Sequence, residues 1–275
     1  MNYFEAVILG IVEGLTEFLP VSSTGHLTIA EKLLGLNVAD SDVTAYTAVI
    51  QIGAIAAVVV YFWTDIWRIA KAWVLGLFKP ELRGQLDHRM GWYIIVGSIP
   101  IGIVGLLGKD VIKGPLRSLW VVAAALILWS AVMLYAERRG RQQRGEKSLT
   151  LRDVLVVGLV QCIALVPGVS RSGATISAGL LFGLDRVTAT KLSFFLSIPA
   201  LVAAGLFQLE DALAGDIGVG QTVVGTLVSF VVAYASVAWL LKFVAGNSIG
   251  KFVPYRVGLG VVLLVALGAG WMTAT

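Results

Sequence analysis

Two segments of this chain repeat one another without a gap at an offset of 148 residues, and both interrupt an otherwise apolar sequence. The first starts at Gly10 (GIVEGLTEFLPVSSTGHLTIAEKLLGLN) and the second at Gly158 (GLVQCIALVPGVSRSGATISAGLLFGLD). Gly10/Gly158, Val12/Val160, Val21/Val169, Ser22/Ser170, Gly25/Gly173, Leu33/Leu181, Gly35/Gly183 and Leu36/Leu184 are identical pairs, and Glu13 stands opposite Gln161. The duplication restricts the fold to two related units. The Pro, Gly and Ser inside each copy restrict it further. They interrupt a helix, and non-helical backbone survives in a bilayer only where protein or a water-filled cavity satisfies it. The two breaks also carry Glu13, Glu17, His26 and Arg171. Ionisable groups at membrane depth are costly and mark a working site.

The background is that of a membrane protein. Hydrophobic residues make up 57% of the chain and charged ones 14%, where a soluble domain carries about a quarter charged; mean hydropathy is +0.87. Residues 43–63, 91–108, 118–136, 192–209, 217–241 and 257–272 contain no Asp, Glu, Lys or Arg. Each approaches the roughly 20 residues that cross a hydrocarbon core. The expected fold is therefore an all-α polytopic membrane protein of about six transmembrane helices plus two re-entrant helical hairpins. The single Cys162 leaves no internal disulfide or cysteine metal cluster. The basic balance sits in loops and calls for no nucleic acid. Glu5, Glu13 and Glu17 spoil any signal-peptide pattern at the start.

Lys and Arg concentrate in residues 64–90, 137–152 and 242–253, which places those segments in the cytoplasm. The stretch 209–219 has no basic residue and carries Glu210, Asp211 and Asp216; the loop 109–117 is less clean, with Lys109, Lys113 and Arg117. With six spans, residues 1–42 must enter and leave on the outer side, while 153–187 dip in from the inside. That is an inverted-topology repeat, whose site is expected at the midplane where the broken helices meet. The organisation is a single membrane domain over 1–275. Its first repeat covers about 1–136, a cytoplasmic loop follows at 137–152, and the second repeat covers about 153–275. His88 reads as a surface residue and the run 137–147 as a solvated loop.

Glu13 and Glu17 are four apart and share a helix face. Two like charges there repel unless a cation or an arginine lies between them, and hard oxygen ligands suit Mg²⁺ or Ca²⁺, usually with help from substrate phosphates. The second copy replaces the pair by Gln161 and Leu165, so the fold itself does not require two carboxylates. Ser23 and His26 fall within one turn of a presumptive half-helix start, a hydroxyl with a base in reach. Arg171 suits bidentate phosphate contact, with a salt bridge to Glu13 or Glu17 as the alternative. Ser170, Ser172 and Thr175 offer further donors, or serve only as caps and packing hydroxyls. Two half-helix N-termini facing each other would suit a diphosphate.

The motifs EGLTEFLPVSSTGH at 13–26 and PGVSRSGAT at 167–175 resemble those of the bacterial undecaprenyl-diphosphate phosphatases of the bacitracin-resistance type, and the resemblance extends over the whole chain. The histidine-bearing signatures of the acid-phosphatase type of lipid phosphatase are absent. The resemblance implies hydrolysis of undecaprenyl diphosphate to undecaprenyl phosphate and inorganic phosphate, recycling the lipid carrier of cell-wall synthesis and conferring bacitracin resistance. It implies a divalent cation, a multi-pass protein of the bacterial cytoplasmic (inner) membrane, and a site facing the periplasm. It places functional roles on Glu13, Glu17, Ser23 and His26 in the first motif, and on Ser170, Arg171, Ser172 and Thr175 in the second. The expected arrangement has Glu13 and Glu17 on the metal, Arg171 on the terminal phosphate, and Ser23 as nucleophile with His26 as base. A histidine nucleophile and a carboxylate-activated water stay open, as does a homodimer. A lipid flippase or secondary transporter is the competing class, because inverted repeats with broken helices also build transporters.

Overall fold

The computed structural model describes residues 1–275 apart from Ala39, Gly215, Asp216 and Thr275, together with the side chains of Lys113, Phe207 and residues 209–214. The expectation at Asp216, and those at the side chains of Glu210 and Asp211, lie outside the described residues. In chain order the helices are α1 (Tyr3–Thr16), α2 (Ser23–Leu33), α3 (Ser41–Tyr61), α4 (Trp63–Phe78), α5 (Leu86–Leu107), α6 (Lys109–Lys113), α7 (Leu119–Arg139), α8 (Leu151–Gln161), α9 (Arg171–Leu181), α10 (Arg186–Ala214), α11 (Val219–Gly246) and α12 (Val253–Gly268). Among the described residues, six segments are long and apolar enough to span a membrane: Ser41–Tyr61, Leu86–Leu107, Leu119–Arg139, Arg186–Leu206, Val219–Gly246 and Ile249–Gly268. Each overlaps one of the six uncharged stretches, and the protein is an all-α polytopic membrane protein.

The remaining helices explain why the repeat matters. α1 has 14 residues and α2, α8 and α9 have 11 each. At 1.5 Å per residue these are about 16–21 Å long, too short for a core of about 30 Å. Each half of the chain thus consists of a broken helix pair followed by three spans. Three is odd, so the second half runs inverted relative to the first. Packing follows the same symmetry. α1 packs on α11 and its counterpart α8 on α5, while α3 meets α10 and α7 meets α12. The glycine pair that opens the repeat sits at these contacts. A Cβ on Gly10 would stand 2.6 Å from the Gly225 carbonyl oxygen, and one on Gly158 would stand 2.2 Å from that of Gly97. Small residues there let the backbones approach.

Two loop readings are corrected. His88 is buried, not on the surface: it lies in α5 with Nδ1 3.3 Å from the Ala72 carbonyl of α4, so residues 63–78 are a helix folded back against the next span. Within the run 137–147, Arg138, Arg139, Arg141, Gln143 and Lys147 are exposed as expected, but Glu137 and Arg144 are anchored. Arg186 grips Glu137 (Nε–Oε1 3.0 Å, Nη2–Oε2 2.8 Å), and Glu137 Oε1 also accepts from Ile249 N–H at 2.8 Å. Arg144 holds Asp153 at 2.6 Å. Charge density alone suggested solvent; the partners lie up to 112 residues away.

Candidate active site

Both breaks are built alike. Ser22 and Ser170 are the N-caps of α2 and α9, accepting from Gly25 N–H at 3.4 Å and Gly173 N–H at 3.2 Å. They have φ of 78° and 75°, left-handed values that a serine rarely adopts and that surrounding structure must impose. The cross-links between the copies supply that constraint. Ser22 Oγ accepts from Gly168 N–H at 3.0 Å, and Ser172 Oγ donates to the Leu19 carbonyl at 2.9 Å. Each break satisfies part of the other's backbone, as membrane burial demands.

The first residues of α2 and α9, Ser23 and Arg171, occupy equivalent places in the repeat and converge on one side chain. Glu17, at the end of α1, accepts a short hydrogen bond from Ser23 Oγ on Oε2 and takes Arg171 Nη2 at 2.7 Å on Oε1. All three are buried or nearly so. One helix turn back, Glu13 is fully buried beside the Glu17 carboxyl. Neither of its oxygens receives a hydrogen bond among the described residues, and Arg171 Nη1 is likewise without an acceptor. Two carboxyl groups and one guanidinium thus leave buried acidic and basic atoms without partners among the described residues. Burial without partners is expensive for such groups, so the arrangement is complementary to something that brings a cation and anionic oxygens together. The first-turn N–H groups of α2 and α9 point the same way, as helix starts favour anions.

The structure does not join His26 to Ser23. His26 Nδ1 lies 2.7 Å from the Ser22 carbonyl and Nε2 2.6 Å from the Tyr255 hydroxyl. Nδ1 therefore carries the proton, and Nε2 accepts from Tyr255. Ser170 Oγ lies 3.1 Å from Ser172 Oγ. Thr175 Oγ1 is 2.8 Å from the Arg171 carbonyl and 2.6 Å from Ser193 Oγ, where it holds α9 against α10.

Sequence reasoning missed Arg256. This α12 residue is fully buried with no carboxylate partner among the described residues. Its guanidinium donates to the carbonyls of Pro20 (2.9 Å), Gly168 (2.8 Å) and Val169 (3.1 Å), and to Ser130 Oγ (3.1 Å). A single side chain thus ties both breaks together. The available signal was an arginine at the very edge of an uncharged span. Gln161, the counterpart of Glu13, is also fully buried, with neither amide atom bonded among the described residues.

Residues 6–262 match the family described as bacitracin resistance protein BacA. The chain belongs to this family. It is 56% identical over 278 residues to "Undecaprenyl-diphosphatase 3" of Frankia casuarinae, with all of both chains covered. It is 56% identical over 271 residues to "Undecaprenyl-diphosphatase 1" of Streptomyces avermitilis, covering 98% of each. It is 54% identical over 275 residues to "Undecaprenyl-diphosphatase" of Acidothermus cellulolyticus, again over the full length of both. In this BacA chain both motifs fall inside the matched region, at the two breaks.

Proposed function

We propose that this chain hydrolyses undecaprenyl diphosphate to undecaprenyl phosphate and inorganic phosphate. The observation that carries the reading is the meeting of Ser23 and Arg171, from the two repeat copies, on the buried carboxylate of Glu17. Full-length relatives named undecaprenyl-diphosphatase support the same substrate. The hydrogen bond from Ser23 to Glu17, with His26 turned to Ser22 and Tyr255, supports Ser23 as the nucleophile and Glu17 in place of His26 as its base. Ser23 Oγ bonds to the terminal phosphorus, the bond from that phosphorus to the bridging oxygen breaks, and undecaprenyl phosphate departs. The serine proton passes to Glu17. Water then attacks the phosphoserine phosphorus, the bond from that phosphorus to Ser23 Oγ breaks, Glu17 returns its proton to Oγ, and the water oxygen and its protons leave with the inorganic phosphate. Arg171, with an Nη1 lacking an acceptor, stabilises the terminal phosphoryl oxygens as charge develops. Ser170 and Ser172 set the helix start that presents its N–H groups to the phosphate, and Thr175 fixes the same turn from behind. Tyr255 keeps the basic nitrogen of His26 at the edge of the site.

A divalent cation fits the donor set. Glu13 offers two buried oxygens without partners beside Glu17, and no group of three or more His, Cys, Asp or Glu exists among the described residues to complete a shell. Glu13 and Glu17 would therefore hold Mg²⁺ or Ca²⁺ with phosphate oxygens and water as the other ligands. The ion would supply charge neutralisation on the diphosphate. The basic segments 64–90, 137–152 and 242–253 support a cytoplasmic-membrane orientation with the site open to the periplasm. Broken helices also occur in transporters, but a flippase has no use for a serine hydrogen-bonded to a carboxylate.

Purified protein in detergent, given farnesyl diphosphate, should release phosphate, and a chelator should stop the release. Ser23→Ala should abolish turnover and any trappable phosphoprotein. Full activity of that variant would remove the serine mechanism; absence of phosphate release from wild type would remove the phosphatase reading.

A further inference from the structure

A cavity of about 240 Å³ lies between α2 and α3 beside the second break, with Thr24, Glu31, Arg117 and Pro167 on its walls. Thr24 directly follows Ser23, so this space adjoins the catalytic turn on the side away from His26. Thr24, Thr28 and Glu31 share one face of α2. Glu31 is 1% exposed, and its Oε2 has no hydrogen-bond donor among the described residues. Arg117 reaches in from the turn before α7. Its Nη1 bonds to the Val38 carbonyl at 3.1 Å and to Thr44 Oγ1 at 2.7 Å. Burial raises the Glu31 carboxyl to about 7 and the Arg117 charge opposes that rise, yet the two form no ion pair among the described residues. Arg117 also belongs to the loop whose basic residues break the charge asymmetry of the sequence.

A buried carboxylate and a guanidinium that line one small space without forming an ion pair with each other among the described residues narrow what fits there. A metal ion would meet the guanidinium, and a fully deprotonated dianion would meet the carboxylate. An oxyanion that still carries an acid O–H satisfies both, donating that proton's hydrogen bond to Glu31 and accepting from Arg117. Inorganic phosphate keeps such a proton at neutral pH, whereas sulfate does not. At 240 Å³ the cavity is also smaller than the roughly 300–1,000 Å³ of sites for larger organic ligands.

We propose that this cavity is a second phosphate site, which holds the inorganic phosphate freed at Ser23 as it leaves. The origin of that phosphate rests on the phosphatase reading; the binding itself does not. Calorimetric titration without substrate, in detergent, separates the two. The Arg171→Ala protein, with the catalytic phosphate contact removed, should still bind inorganic phosphate and should prefer it to sulfate. Adding Arg117→Gln should weaken phosphate about ten- to a hundredfold, the worth of a hydrogen bond to a charged group. Adding Glu31→Gln should erase the preference over sulfate. Arg117→Lys, which keeps the charge, serves if the glutamine variant does not fold, and should lose less than tenfold. Phosphate binding that vanishes with Arg171→Ala, or that survives Arg117→Gln within about twofold, overturns the proposal. So does an unchanged sulfate preference in Glu31→Gln. If farnesyl monophosphate depends on Arg117 and inorganic phosphate does not, the site belongs to the lipid headgroup and the assignment falls. Intact turnover with any of these failures leaves the phosphatase reading standing; binding as expected without turnover does the reverse.

Discussion

Replacing Arg256 by methionine tests whether the two breaks are held in register by one side chain. Methionine keeps an unbranched apolar stem and removes every donor. Three carbonyls outside regular helix, those of Pro20, Gly168 and Val169, then lose their guanidinium partner. A buried acceptor left without a donor costs about 1–3 kcal/mol, and the breaks can relieve that only by shifting. Those same breaks carry Ser23 and Arg171 onto Glu17. A loss of about 3 kcal/mol in transition-state positioning is about 150-fold in kcat. Removing an unpaired buried guanidinium also relieves desolvation, so the thermal midpoint should change less than the activity does. The assay is phosphate release from farnesyl diphosphate in detergent, with kcat and KM measured separately beside a thermal melt. Arg256→Met should lose about 100-fold or more in kcat while KM moves by about threefold or less. Arg256→Lys should recover part of it, because an ammonium reaches one or two of the carbonyls but not all. A folded Arg256→Met protein with kcat within about twofold of wild type would refute the clamp. A loss that follows the melted fraction alone would refute it equally.

Glu13→Gln keeps the shape of the site and removes a ligand charge, so the Mg²⁺ or Ca²⁺ concentration giving half-maximal activity should rise by about tenfold or more; a cation titration identical to wild type would exclude Glu13 as a ligand. Gly158→Ala places a methyl 2.2 Å from the Gly97 oxygen and should lower stability by about 1–3 kcal/mol, seen as a lower thermal midpoint. Gly102→Ala, in α5 with nothing within 4 Å, is the matched control and should be neutral or slightly stabilising. Glu137→Gln strips the charge that Arg186 grips and should lower the midpoint. It should leave kcat unchanged, because Glu137 makes its hydrogen bonds to Gln142, Arg186 and Ile249 and to none of the Ser23–Glu17–Arg171 group; a kcat loss in the folded variant would link that end of the bundle to the chemistry.

Much of this protein is legible along the chain because its information is local or periodic. Uncharged stretches of spanning length fix six helices, since a bilayer charges heavily for anything else. Proline, glycine and serine fix the two breaks, and the 148-residue offset fixes their kinship. Glu13, Glu17, Ser23 and Arg171 stand out because ionisable and polar groups in apolar sequence need a reason. The tertiary structure alone decided who meets whom. Ser23 turns to Glu17 rather than His26, because the cap at Ser22 directs the first turn of α2 back towards α1 and carries His26 round to Tyr255. Arg256 bonds to a residue 236 positions away, and no periodicity or spacing encodes such a contact. His88, polar in sequence, is buried against α4, and Glu137 is held by partners from distant helices. The sequence by itself determined where the backbone must break; only the folded bundle decided what the breaks bring together, because hydrogen-bond partners across a membrane core are set by helix packing and not by neighbours in the chain.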